Sequence, residues 1–72
     1  MKTELSINIG KVIKEARKAK GLTQKEVADK FFMGQQQYSR WETGLYEMNY
    51  EQIVKICNLL EITPNVLFDF DF

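Results

Sequence analysis

A chain of 72 residues is one domain with a small core, because a fold of this size buries only about 60% of the surface that its unfolded chain exposes. Its 44% apolar and 28% charged residues are an ordinary folded composition, and one cysteine without any histidine excludes an internal disulfide, a Cys/His zinc site and a Ser-His-Asp triad. Net charge is zero but uneven: residues 1–40 hold nine of the ten Lys/Arg and four of the ten acids, which makes the first half +5 and the second half −5. Such a split suggests a basic surface for a polyanion, or lysines that merely solvate helix faces.

No apolar run exceeds three residues, and Met1 to Leu5 has no signal-peptide stretch, so the expected setting is the cytoplasm, away from membranes, with Cys57 reduced. Along the chain, Ile9, Val12, Ile13 and Ala16 recur at i, i+3, i+4 and i+7, the stripe of an amphipathic helix that Gly21 ends. Thr23-Gln24-Lys25-Glu26 is a capping box that starts a second helix, with Leu22 placed to staple onto Val27. Val27, Ala28 and Phe31 form its buried stripe.

Gly34 takes a positive φ or caps a third helix, which runs about Gln35 to Thr43 and ends at Gly44. At 100° per residue, Tyr38 and Trp41 fall together with Glu42 beside them. Gln36, Arg40 and Thr43 then point the other way, flanked by Gln37 and Ser39, so the outward side carries amide, hydroxyl and guanidinium groups. Asn49 and Gln52 make a capping box for a fourth helix with the stripe Ile53, Ile56, Cys57 and Leu60, in which Cys57 is a small apolar filler. Thr63-Pro64 starts a short fifth helix that buries Val66 or Leu67, and Phe68. Glu4 to Ile7 and Phe68 to Phe72 both alternate with period two, so the ends read as a short ribbon or dimer contact, or else as frayed tails.

Two short helices joined by a glycine-containing turn are a helix-turn-helix. The stretch Gly21 to Lys30 (GLTQKEVADK), then Gln35 to Arg40, then Trp41-Glu42-Thr43-Gly44, resembles the lambdoid phage repressor/Cro-type, or XRE-like, helix-turn-helix family. The resemblance covers about residues 8–68 of a single domain, with the helix-turn-helix at about 24–43. It implies an all-α, compact four- to five-helix lambda-repressor-like domain. Such a domain binds double-stranded DNA as a homodimer on a two-fold site and regulates transcription, here as a repressor. It carries no catalytic residue, cofactor or metal.

By the same resemblance, Gln35 and Gln36 read bases, Ser39 and Arg40 read bases or touch phosphate, and Gln24 touches a phosphate and braces Gln35. Arg17 and Glu42 match a family pair that ties the first helix to the end of the third. The projection puts Glu42 on the inner side, and the alternative is an exposed pair worth less than about 1 kcal/mol. The chemistry of the residues points the same way: Gln matches adenine N6 and N7, and Arg matches guanine O6 and N7. Gln37 extends a run of three glutamines, and Gln24 and Lys25 sit at a helix N-terminus that favours an anion. Thr43 and Tyr46 can donate to phosphate oxygens. Two departures stand out. Phe32 occupies the turn position where the family has glycine, and Leu45 to Met48 holds no Lys or Arg, which leaves Lys11, Lys14, Lys18 or Lys25 for phosphate. The missing basic residues favour a second reading, a protein-interaction module that docks through the acidic, aromatic C-terminal half; a third is an antitoxin-like protein that binds both a protein partner and DNA.

Overall fold

The computed structural model describes residues 2–68. They form five helices: α1 Glu4–Ala19, α2 Gln24–Lys30, α3 Gln35–Glu42, α4 Tyr50–Leu60 and α5 Pro64–Leu67, with no strand among the described residues. Four of these helices start on side-chain caps. Thr3, Thr23 and Asn49 make reciprocal capping boxes with Ser6, Glu26 and Gln52, and Thr63 caps α5 with Pro64 at its first position. Helix α3 starts on Gly34, which has φ −72° and no side chain to offer.

The strand-like reading of Glu4 to Ile7 is corrected: these residues are the first turns of α1. Four alternating residues are too few to separate a strand from a helix start, and the Thr3/Ser6 capping box decides for helix. Ser6 turns inward instead of pairing with another strand, and its hydroxyl donates to the Gly44 carbonyl at 2.7 Å. The helical body therefore begins at residue 4, ahead of the expected core boundary at 8. Residues 69–72, which carry most of the C-terminal alternation, lie outside the described residues.

The core takes Ile13 from α1, Val27 and Ala28 from α2, Tyr38 and Trp41 from α3, Ile56, Cys57 and Leu60 from α4, and Leu67 from α5. Helix α1 is the spine: α3 packs across it, and α4 and α5 also pack on it, while α2 holds α3 from another side. Phe31 is half-buried at the end of α2, with its ring 5.0 Å edge-to-face from Trp41. Of the two candidates in α5, Leu67 is the buried one and Val66 is exposed. Burial pushes the Cys57 thiol up from its ordinary pKa.

Close approach of α1 and α3 depends on Gly10. A Cβ there would stand 2.6 Å from the Trp41 carbonyl oxygen, and nearer still to that of Glu42. The sequence holds a signal for this contact, since a glycine inside a helical stripe costs about 1 kcal/mol relative to alanine and needs a packing reason.

Candidate nucleic-acid interface

The turn between α2 and α3 contains Phe32 at φ +54°. This is the left-handed region that glycine enters without strain, so the position where the family has glycine does require that geometry here. Phe32 is 93% exposed, and the Lys55 ammonium lies 5.3 Å from its ring centre and 4.8 Å from that of Phe31.

Helix α3 has a dry side and a wet side. Tyr38, Trp41 and Glu42 are buried, whereas Gln35, Gln36, Gln37, Arg40 and Thr43 are exposed and Ser39 is half-buried. Thr43 caps the helix and Gly44 follows at φ +81°. The Ser39 hydroxyl donates to the Gln36 carbonyl at 2.9 Å, and the Thr43 hydroxyl donates to that of Arg40 at 3.3 Å. Both hydroxyl oxygens can still accept. Arg40 lies against Tyr46: its guanidinium carbon is 5.3 Å from the ring centre and Nη1 is 3.5 Å from the phenol oxygen. The pairing places a guanidinium and a phenol side by side at the end of α3.

Behind the wet side sits a buried charged cluster. Arg17 Nε donates to Glu42 Oε2 at 2.6 Å and Nη2 to Oε1 at 3.3 Å, while Nη1 donates to the Leu22 carbonyl at 2.8 Å. The Tyr38 hydroxyl also donates to Oε2, at 2.6 Å. Glu42 is 6% exposed and Arg17 8%, so this is the inner pair rather than the exposed one. Burial pushes the Glu42 carboxyl up, but hydrogen bonds from Arg17, Tyr38 and Gln24 outweigh it and hold the group below its ordinary value. The Tyr38 phenol is driven well above its ordinary value by burial and by its bond to Glu42.

Gln24 joins the cluster to the reading surface. Its Nε2 donates to Glu42 Oε1 at 3.0 Å, and its Oε1 accepts from Gln35 Nε2 at 3.3 Å. The Gln24–Gln35 contact is the one that the resemblance implies; the bond from Gln24 to Glu42 is an addition that residue spacing alone does not reveal. Lys25 is exposed, with its ammonium 3.4 Å from Asp29 one turn along α2. Lys11, Lys14 and Lys18 are exposed along one stripe of α1. Sequence spacing also gives no sign of the Ser6–Gly44 bond, which anchors the end of α3 to the start of α1.

A rod of helical diameter with amides and a guanidinium along one side suits the major groove of duplex DNA, where each base pair shows its own pattern of donors and acceptors. No helix of the described residues is long and apolar enough to cross a membrane, and none of their His, Cys, Asp and Glu side chains form a group of three able to hold a metal ion.

The sequence is similar to those of known proteins. A family model described as helix-turn-helix matches residues 13–67. The HTH-type transcriptional regulator ImmR of Bacillus subtilis (strain 168) is 32% identical over 65 residues, covering 90% of this chain and 51% of its own. The Uncharacterized HTH-type transcriptional regulator YqaE of the same organism is 34% identical over 55 residues, covering 76% of this chain and 47% of its own. The chain thus spans about half the length of the curated relatives it matches. No solved structure matches it.

Proposed function

Since the chain belongs to the XRE-type helix-turn-helix family, we propose that it is a sequence-specific, double-stranded-DNA-binding regulator of transcription, a binding protein rather than an enzyme. The observation that carries this reading is the two-sided α3, with Tyr38, Trp41 and Glu42 locked inside and Gln36, Gln37, Arg40 and Thr43 in solvent. Gln35 and Gln36 read bases from the N-terminal end of α3, Gln37 extends the amide surface, and Ser39 and Arg40 act one turn further on. Thr43, and Tyr46 with its ring under Arg40, reach phosphates at the far end of the helix. Gln24 spends its oxygen and one N–H inside the protein, and its second N–H is left to meet a phosphate. Lys25 joins it by exchanging Asp29 for phosphate, a cheap exchange because exposed i, i+4 pairs are worth only ~0.3–0.5 kcal/mol.

Two copies on a two-fold site would set their reading helices about 34–36 Å apart, one helical turn of DNA. Repression then follows from occupancy of the site. Selection from a random duplex pool, followed by titration at two salt concentrations, tests the proposal. Gln35→Ala is expected to change preference at one base pair by roughly 1–3 kcal/mol. Equal weakening on every sequence would make Gln35 a positioning residue instead.

A protein partner is the second reading, favoured by Phe32 and by Tyr50, which is 88% exposed. A chain without salt-dependent affinity for duplex DNA would support that alternative.

A further inference from the structure

We infer that Glu42, which lies inside the protein and touches no base, sets the donor–acceptor polarity of Gln35 through Gln24 and is therefore a specificity-determining positioning residue. The inference rests on the reading of α3 as the major-groove helix.

A carboxylate accepts hydrogen bonds and donates none. Each oxygen of Glu42 receives two donors: Oε2 takes Arg17 Nε and the Tyr38 hydroxyl, and Oε1 takes Arg17 Nη2 and Gln24 Nε2. An amide is two-ended. With its nitrogen committed to Glu42, Gln24 must turn its oxygen toward α3, where it accepts from Gln35 Nε2. That bond fixes the Gln35 amide in turn and leaves it one N–H and an oxygen. These are the donor and acceptor that complement adenine N7 and N6.

If Gln24 were reversed, Gln35 would turn its oxygen inward and present both N–H groups outward. That arrangement complements the two acceptors of guanine, O6 and N7. The charge that forbids the reversal belongs to Glu42, and the Arg17 bond keeps it charged. Gln24 is thus the relay between a buried charge and an exposed reader, and the polarity of the whole line is fixed at its inner end.

The unmodified chain and three variants, probed with a duplex pool randomised at the base pair that Gln35→Ala identifies, test the inference. The unmodified chain should select adenine there. Gln24→Met removes the relay at a half-buried position without opening the core, and should reduce the preference for adenine about tenfold or more. Glu42→Gln permits the reversed line and should move the preference toward guanine.

Tyr38→Phe removes a donor from the same carboxylate but leaves Gln24 in place. It should lower the midpoint of urea unfolding while adenine is still selected. A merely structural role for Glu42 would move stability in all three variants and base preference in none, and that result overturns the inference. Undiminished selection of adenine by folded Gln24→Met does so by itself, so the inference stays open to refutation even where Glu42→Gln fails to fold. Guanine selected by the unmodified chain also overturns it. If the unmodified chain selects no duplex at all, or if Gln35→Ala changes nothing, the groove reading itself fails and the inference goes with it.

Discussion

The inner and outer sides of α3 come from the same eight residues, yet they are held in opposite ways. Inside, Tyr38, Trp41 and Glu42 are buried and both oxygens of the carboxylate are fully engaged. Outside, Gln36, Gln37 and Arg40 stand in solvent, with the Arg40 guanidinium against Tyr46. A buried ion pair is no more stabilising than a well-packed apolar pair of the same volume. What the charged cluster adds is direction, since Arg17 on α1, Gln24 on α2 and Tyr38 on α3 all converge on one carboxylate. The orientation of the helix is fixed from its inner side, by groups that α1 and α2 bring to Glu42.

The contrast breaks most visibly at Arg17. Arg17→Met leaves the buried Glu42 without its cation and should cost about 3–5 kcal/mol in urea unfolding. Gln37→Ala, on the other side of α3, should stay within about 0.5 kcal/mol. Equal losses would erase the distinction between the two sides.

Gly10 gives the next largest effect. Gly10→Ala drives a methyl group into the Trp41 and Glu42 carbonyls, so α1 and α3 must part, at about 1–3 kcal/mol. An unchanged unfolding midpoint would mean that α3 is free to shift on its bed.

Acid has the smallest and most gradual effect. The Glu42 carboxyl titrates below its ordinary 4.5 in the folded chain. Its contribution to stability is therefore fully present above that value and fades as the pH falls through the lower folded one. Midpoints measured down this range should fall more steeply for the unmodified chain than for Arg17→Met, in which the carboxylate has lost its cation. The exposed Glu26 and Glu61 are lowered as well, by the Thr23 cap and by Lys20 respectively, and contribute equally to both profiles.

Much of this architecture is legible in the residues because it is written locally. The Thr23/Glu26 and Asn49/Gln52 boxes, the glycines after α1 and α3, and Pro64 after Thr63 each act within four residues. The two sides of α3 follow from helical periodicity alone. Illegible features are those made between distant segments. The Ser6 bond to Gly44 spans 38 positions, and the Gln24 bond to Glu42 spans 18. The start of α1 was hidden for a different reason. Four residues of alternation fit either a strand or a helix, and only the cap at Thr3 separates the two. Phe32 lies between these cases: the turn is visible, but whether its ring would go in or out depends on a left-handed backbone that points it at solvent beside Lys55.

Cys57 has a practical consequence. Its sulfur is buried in α4, away from reagents in solvent, and burial raises its pKa, which disfavours the reactive thiolate. Because the native chain has no other sulfhydryl, a dye attached through Gln37→Cys would label one place only, and its emission would report whether duplex DNA meets α3, with the wild-type interior intact.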